Sequence, residues 1–134
     1  MAYPVVETTV RVRYAETDAQ GVVYHSNHLI YFEVGRGAYL RSLGFDYNQM
    51  EAAGLMIAVV DAHVRYRAGA RYDDELRIVT RLDELGSRSM RFGYELWRDD
   101  TLVATGETAH VCLNRAYQPV AMPATLKAAV ENAT

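Results

Sequence analysis

Cysteine is nearly absent from this chain. Of its 134 residues only Cys112 is one, so no intrachain disulfide can form and no cysteine-rich metal site exists. Proline is scarce as well, three in all, and no Pro/Gly/Ser-rich stretch marks a linker. Neither sign of charge dominates: Lys+Arg 14 stand against Asp+Glu 17, for a net charge of −3. Such a balance gives no global pull toward nucleic acid or an anionic membrane. No apolar run approaches the ~20 residues that span a bilayer. The opening "MAYPVVETTVRV" also lacks the basic and apolar regions of a signal peptide. These absences lead us to expect a cytoplasmic protein with no membrane insertion and no nucleic-acid partner. What remains is globular composition, with half the residues hydrophobic and 23% charged, on a length that suits one domain across 1–134.

Val6, Thr8, Val10, Val12 and Tyr14 alternate with polar neighbours, a period of two that predicts a half-buried first strand. After a polar turn, "NHLIYFEVGRGAYLRSLG" repeats Leu29, Phe32, Tyr39, Leu40 and Leu43 at helical spacing. Ser26 or Asn27 is the candidate N-cap and Gly44 the candidate C-cap. With only Glu33, Arg36 and Arg41 charged, this helix reads as buried all round. Gly35 and Gly37, each costing roughly 1 kcal/mol in a helix, suggest close approach to a covering sheet. A short helix at 46–53 and four alternating strands follow. "LGSR" and "RDDT" mark antiparallel hairpins, and Pro123 opens a last short helix. The order β-α-(α)-β-β-β-β-α makes this an α+β domain with a long helix inserted after the first strand.

The turn between that strand and the helix, "TDAQGVVYHSNHLIYFE", packs Asp18, Gly21 and His25 against a helix start. Free N–H groups at a helix N-terminus, aided by the macrodipole, can hold a developing oxyanion. A carboxylate beside them can act as base or nucleophile. On the residues alone, Asp18 reads equally well as the acid of an Asx-turn, and Gly21 as a turn glycine with positive φ.

The motif "YAETDAQGVVYHSNHLIYFEVGR", with "ARYDDEL" at 70–76 and "ATGETAHVCLN" at 104–114, resembles the hotdog-fold acyl-CoA thioesterases of the 4-hydroxybenzoyl-CoA thioesterase type. It looks closest to the bacterial branch associated with the Tol-Pal envelope system. The resemblance implies a hotdog fold, an antiparallel sheet wrapped around a long central helix. It implies a homodimer or homotetramer with active sites between subunits, an acyl-CoA substrate and no cofactor. By place in the motif, the catalytic carboxylate falls on Asp18, and the N–H that polarises the thioester carbonyl on His25. The His25 imidazole matches a histidine common in the Tol-Pal branch. Gly21, Tyr24 and Asn27 fall beside the substrate. Ser87, Arg88, Ser89 and Arg91 fall at a strand start that lines the pantetheine channel in similar proteins, although they also read as a solvated face. Arg65, Arg67 and Arg71 are a second basic cluster. Two departures stand out: Gly69 where proline is common, and His28 where an aromatic, usually tyrosine, is usual.

His25 and His28 are three residues apart, but His63 and His110 have no ligand spacing, so no metal is expected. Cys112, on an apolar strand, reads as a buried thiol. The rival function is a non-catalytic hotdog module that binds acyl-CoA or an acyl carrier protein. A hotdog dehydratase is a second rival, though it usually needs a histidine–acid pair in another motif.

Overall fold

In the computed structural model, which describes residues 3–133, alternation along the chain becomes one antiparallel sheet. Its strands are β1 (Val5–Arg11), β2 (Met56–Tyr66), β3 (Glu75–Leu85), β4 (Ser89–Arg98) and β5 (Thr101–Leu113), in the order β1-β3-β4-β5-β2. The two hairpins form at the predicted turns, joining β3 to β4 and β4 to β5. Tyr14 lies outside β1, in a 3-10 turn at Tyr14–Glu16, and is exposed. Its alternation continues the strand pattern by coincidence, because the backbone has already turned.

The long helix α1 (His28–Ser42) lies on this sheet, followed by α2 (Tyr47–Ala52) and, at the end, α3 (Ala124–Asn132). Asp46 caps α2 by accepting from the Asn48 N–H at 2.9 Å. After α1, Gly44 adopts φ +75° and its N–H bonds the Arg41 carbonyl, as expected of a helix-ending glycine. At the other end neither Ser26 nor Asn27 caps α1 through its side chain. A 3-10 turn, His25–Asn27, leads into the helix instead.

The buried side of α1 carries His28, Tyr31, Phe32, Gly35 and Tyr39. Phe32 stacks on Tyr94 of β4 with ring centroids 4.3 Å apart, and Tyr39 meets Phe92 edge to face. Fully burying each such ring is worth about 1.5–3 kcal/mol. Gly35 is needed here: a Cβ would run into Thr80 Oγ1 and come within 2.8 Å of Ile78 Cγ2. Gly37 is different, since a Cβ there would meet only the Arg41 side chain.

α1 is not buried all round. Leu29, Ile30 and Val34 are exposed on its outer side, so Leu29 does not share the buried face with Phe32 and Tyr39. The edge strand β2 likewise exposes Val59, Val60 and Tyr66. No helix among the described residues is long and apolar enough to cross a membrane.

Candidate active site

The turn before α1 is a tight hairpin. Thr17 bridges Val23, the Asp18 N–H bonds the Val22 carbonyl, and the Gly21 N–H bonds the Asp18 carbonyl at 2.9 Å. Gly21 closes it with φ +83°, the conformation expected of a turn glycine. One Asp18 carboxylate oxygen accepts the Gln20 N–H at 2.9 Å, which is the Asx-turn anticipated from sequence. The second oxygen makes no hydrogen bond among the described residues. One oxygen of Asp18 thus shapes the loop, and the other has no partner among the described residues.

Three residues past Val22, His25 opens the 3-10 turn. Its backbone N–H has no acceptor among the described residues, nor has that of Ser26, while the Asn27 N–H donates to the Tyr24 carbonyl and the His28 N–H to the Ser26 carbonyl. The His25 carbonyl is held firmly, by the Tyr66 hydroxyl at 2.7 Å and by His28 Nδ1 at 3.0 Å. Because a carbonyl can only accept, His28 Nδ1 must carry a proton. Burial lowers the His28 pKa, with the His25 charge adding to that effect; bonds to the His25 and Tyr24 carbonyls partly offset it. The His25 ring itself is exposed and leans on Tyr24, centroids 4.2 Å apart.

Glu16, which no sequence pattern marked, ties these parts together. Its carbonyl accepts from the Tyr24 N–H at 2.9 Å and from Asn27 Nδ2 at 2.8 Å. Its buried carboxylate accepts from the Arg13 N–H, the Arg13 guanidinium and the Tyr31 hydroxyl. Burial pushes the Glu16 carboxyl upward, but those donors and the Arg13 charge outweigh it, and its pKa is lowered. The stabilisation is thus complete above the ordinary value of 4.5 and is lost as pH falls through the lowered one. Glu16→Ala leaves the Tyr31 hydroxyl and Arg13 N–H without their acceptor, at about 1–3 kcal/mol per buried group. Thermal unfolding should show Tm several degrees lower, with less loss of stability than wild type on acidification from pH 5 to about pH 3. An unchanged Tm would remove Glu16 from this role.

Asn27 thus serves the loop through its amide, and Tyr24 is half exposed beside His25. Arg71 reaches the same loop: a Cβ on Gly21 would lie 3.6 Å from its Nη1. The Val23 N–H bonds the neighbouring Ala70 carbonyl at 2.8 Å. Ser87, Arg88, Ser89 and Arg91 are grouped elsewhere, at the β3–β4 turn. Their contacts run to Met122, Cys112, Glu84 and Glu107 rather than to the Asp18 loop. Cys112 is buried as expected.

Over residues 12–130 the sequence matches the thioesterase-like superfamily. The chain belongs to that superfamily. It is 34% identical over 122 residues to the acyl-CoA thioesterase YbgC of Haemophilus influenzae, covering 90% of this chain and 90% of that protein. A crystal structure of a hypothetical protein from Thermus thermophilus superposes with a TM-score of 0.90 at 36% identity, covering 96% of this chain and 98% of that one. The DHNA-CoA thioesterase of Staphylococcus aureus gives a TM-score of 0.85 at 32% identity, over 87% and 80% of the two chains. Membership of the superfamily bears out the expected hotdog architecture, a sheet packed on a long helix, and the expected enzyme class, thioester hydrolysis.

Proposed function

We propose that this chain, a single domain across 1–134, is an acyl-CoA thioesterase of the 4-hydroxybenzoyl-CoA type, nearest the Tol-Pal branch, acting on short aliphatic or aromatic acyl groups. One observation carries the reading: a carboxylate oxygen of Asp18 is open beside a helix start whose first N–H, at His25, is unspent. The thioester carbonyl accepts from that N–H, which stabilises negative charge on oxygen as the carbonyl carbon is attacked. Asp18 either takes a proton from the attacking water or attacks the carbon itself to form a mixed anhydride. In both routes the C–S bond breaks, CoA leaves as thiol after protonation, and water supplies the oxygen of the free acid. The His25 imidazole, exposed beside Tyr24, assists at the mouth of the site.

Coenzyme A brings phosphates, and Arg88 has no ion pair among the described residues with which to compete for them. Arg71, already against the Asp18 loop, is the other candidate. Thiol release from an acyl-CoA panel, followed with a chromogenic thiol reagent, tests the function. Turnover is expected, with KM rising at high salt as phosphate contacts are screened. Binding of acyl-CoA without any thiol release would instead favour the non-catalytic module.

The assembly is part of the proposal. An edge strand of 11 residues with Val59 and Val60 in solvent, next to a helix exposing Leu29, Ile30 and Val34, is a surface that proteins ordinarily cover. A second copy pairing along β2 would cover both and place the active sites between subunits, as a homodimer or a homotetramer of two such pairs. Light scattering at micromolar concentration should therefore give a dimer or tetramer. A fully active monomer would contradict this.

A further inference from the structure

A cavity of about 1030 Å³ opens between α1 and the β4–β5 face, and Glu33, Arg36, Leu40, Arg41, Phe92 and His110 are among the residues lining it. Behind its wall runs a chain of hydrogen bonds that crosses the sheet. Arg36 Nη1 donates to the Tyr94 hydroxyl at 3.1 Å. Tyr94 Oη lies 2.6 Å from Thr108 Oγ1, which lies 2.7 Å from His110 Nε2.

Arginine has no acceptor, so Tyr94 accepts from Arg36, and only one direction of the remaining links gives each buried hydroxyl proton an acceptor. In it Tyr94 gives its own proton to Thr108. Thr108 in turn gives its proton to His110 Nε2, which must be bare. His110 is 2% exposed, and burial together with the Arg36 charge lowers its pKa to about 4. The ring is therefore neutral near pH 7, with its proton on Nδ1. That N–H has no acceptor among the described residues, and Arg36 has no carboxylate within salt-bridge distance.

Buried polar groups are ordinarily all satisfied. This network ends at a cavity wall with one unspent N–H and one uncompensated positive charge. The acids around the cavity do not cancel that charge. Glu33 and Asp46 are exposed at the rim, together with exposed Arg41, and Asp46 is occupied with its helix cap. Exposed charges of mixed sign are weakened by solvent and salt, whereas Arg36 is half-buried and His110 buried, and both present donors.

We propose that this cavity receives the far end of the acyl group and selects acyl-CoAs whose acyl chain ends in a carboxylate. This rests on the thioesterase reading above. A neutral acceptor such as a carbonyl would satisfy the His110 N–H but leave the guanidinium uncompensated. A carboxylate satisfies both, through charge-assisted bonds that are the strong ones. Arg36 is eight positions past His28 on α1, about 12 Å along the axis, which sets the reach that the acyl chain needs.

The test is kcat/KM for pairs of straight-chain acyl-CoAs of equal length, one ending in methyl and the other in carboxylate, over a series of lengths. Wild type should favour the carboxylate-ended member at least tenfold at its best length. In Arg36→Met that ratio should fall to about one. Arg36→Gln, which keeps reach and donors but loses the charge, should lower it part-way and serves if the methionine variant misfolds. Equal or methyl-favouring ratios at every length overturn the proposal, as does a ratio that survives loss of the Arg36 charge. Competitive inhibition by free dicarboxylates, with no preference among thioesters, also overturns it, assigning the cavity to a free anion. No thiol release from any acyl-CoA would instead remove the thioesterase reading on which the proposal stands.

Discussion

Asp18→Asn should lower kcat by at least about 10²–10⁴-fold, the usual worth of a general base, while Tm barely moves. Asparagine keeps a side-chain oxygen for the Gln20 N–H, so the Asx-turn that shapes residues 17–23 survives. The backbone bonds from Asp18 to Val22 and Gly21 do not involve the side chain at all. What disappears is the second oxygen's charge and basicity, needed equally for activating water and for attacking the carbonyl. The two roles of Asp18 are thus separable in one substitution. Wild-type turnover with an intact fold would reduce Asp18 to a turn residue.

His25 separates backbone from side chain in the same way. His25→Ala removes the imidazole and keeps the N–H; His25→Pro removes both. Proline fits unusually well here. The N–H it deletes has no acceptor within the described chain, so no folding hydrogen bond is lost. The preceding residue, Tyr24, already sits at φ −62°, ψ 139°, the extended region that a following proline demands. Loss of one oxyanion donor typically costs about 2.7–4 kcal/mol, or about 10²–10³ in kcat. The proline variant should be slower than the alanine variant by that factor at similar Tm. Equal losses in both would make the imidazole the working group. No loss in either would move the oxyanion donor away from His25.

Local patterns were legible where the partners lie close in the chain. Asp18, Gly21 and His25 span eight residues, and the hairpin that joins them needs only its own backbone, so the motif disclosed the loop. Gly35 betrayed a helix pressed on a sheet, because only a missing side chain lets Thr80 and Ile78 come so near. Leu29 misled, since helical spacing alone does not say how wide the buried stripe is, and α1 leaves its outer side uncovered. Glu16 gave no signal: its value comes from Tyr31, fifteen residues on, which reaches it only after α1 has docked. The Arg36–Tyr94–Thr108–His110 chain was invisible for the same reason, as its first link joins residues 58 apart across helix and sheet.

The measurement that tests the site most directly is a crystal structure of Asp18→Asn with an uncleaved acyl-CoA bound. The thioester oxygen should lie about 2.7–3.1 Å from the His25 backbone nitrogen, the range of an oxyanion donor, with the residue 18 side chain facing the carbonyl carbon from the opposite side. A thioester carbonyl bound away from both His25 and residue 18 would contradict the account.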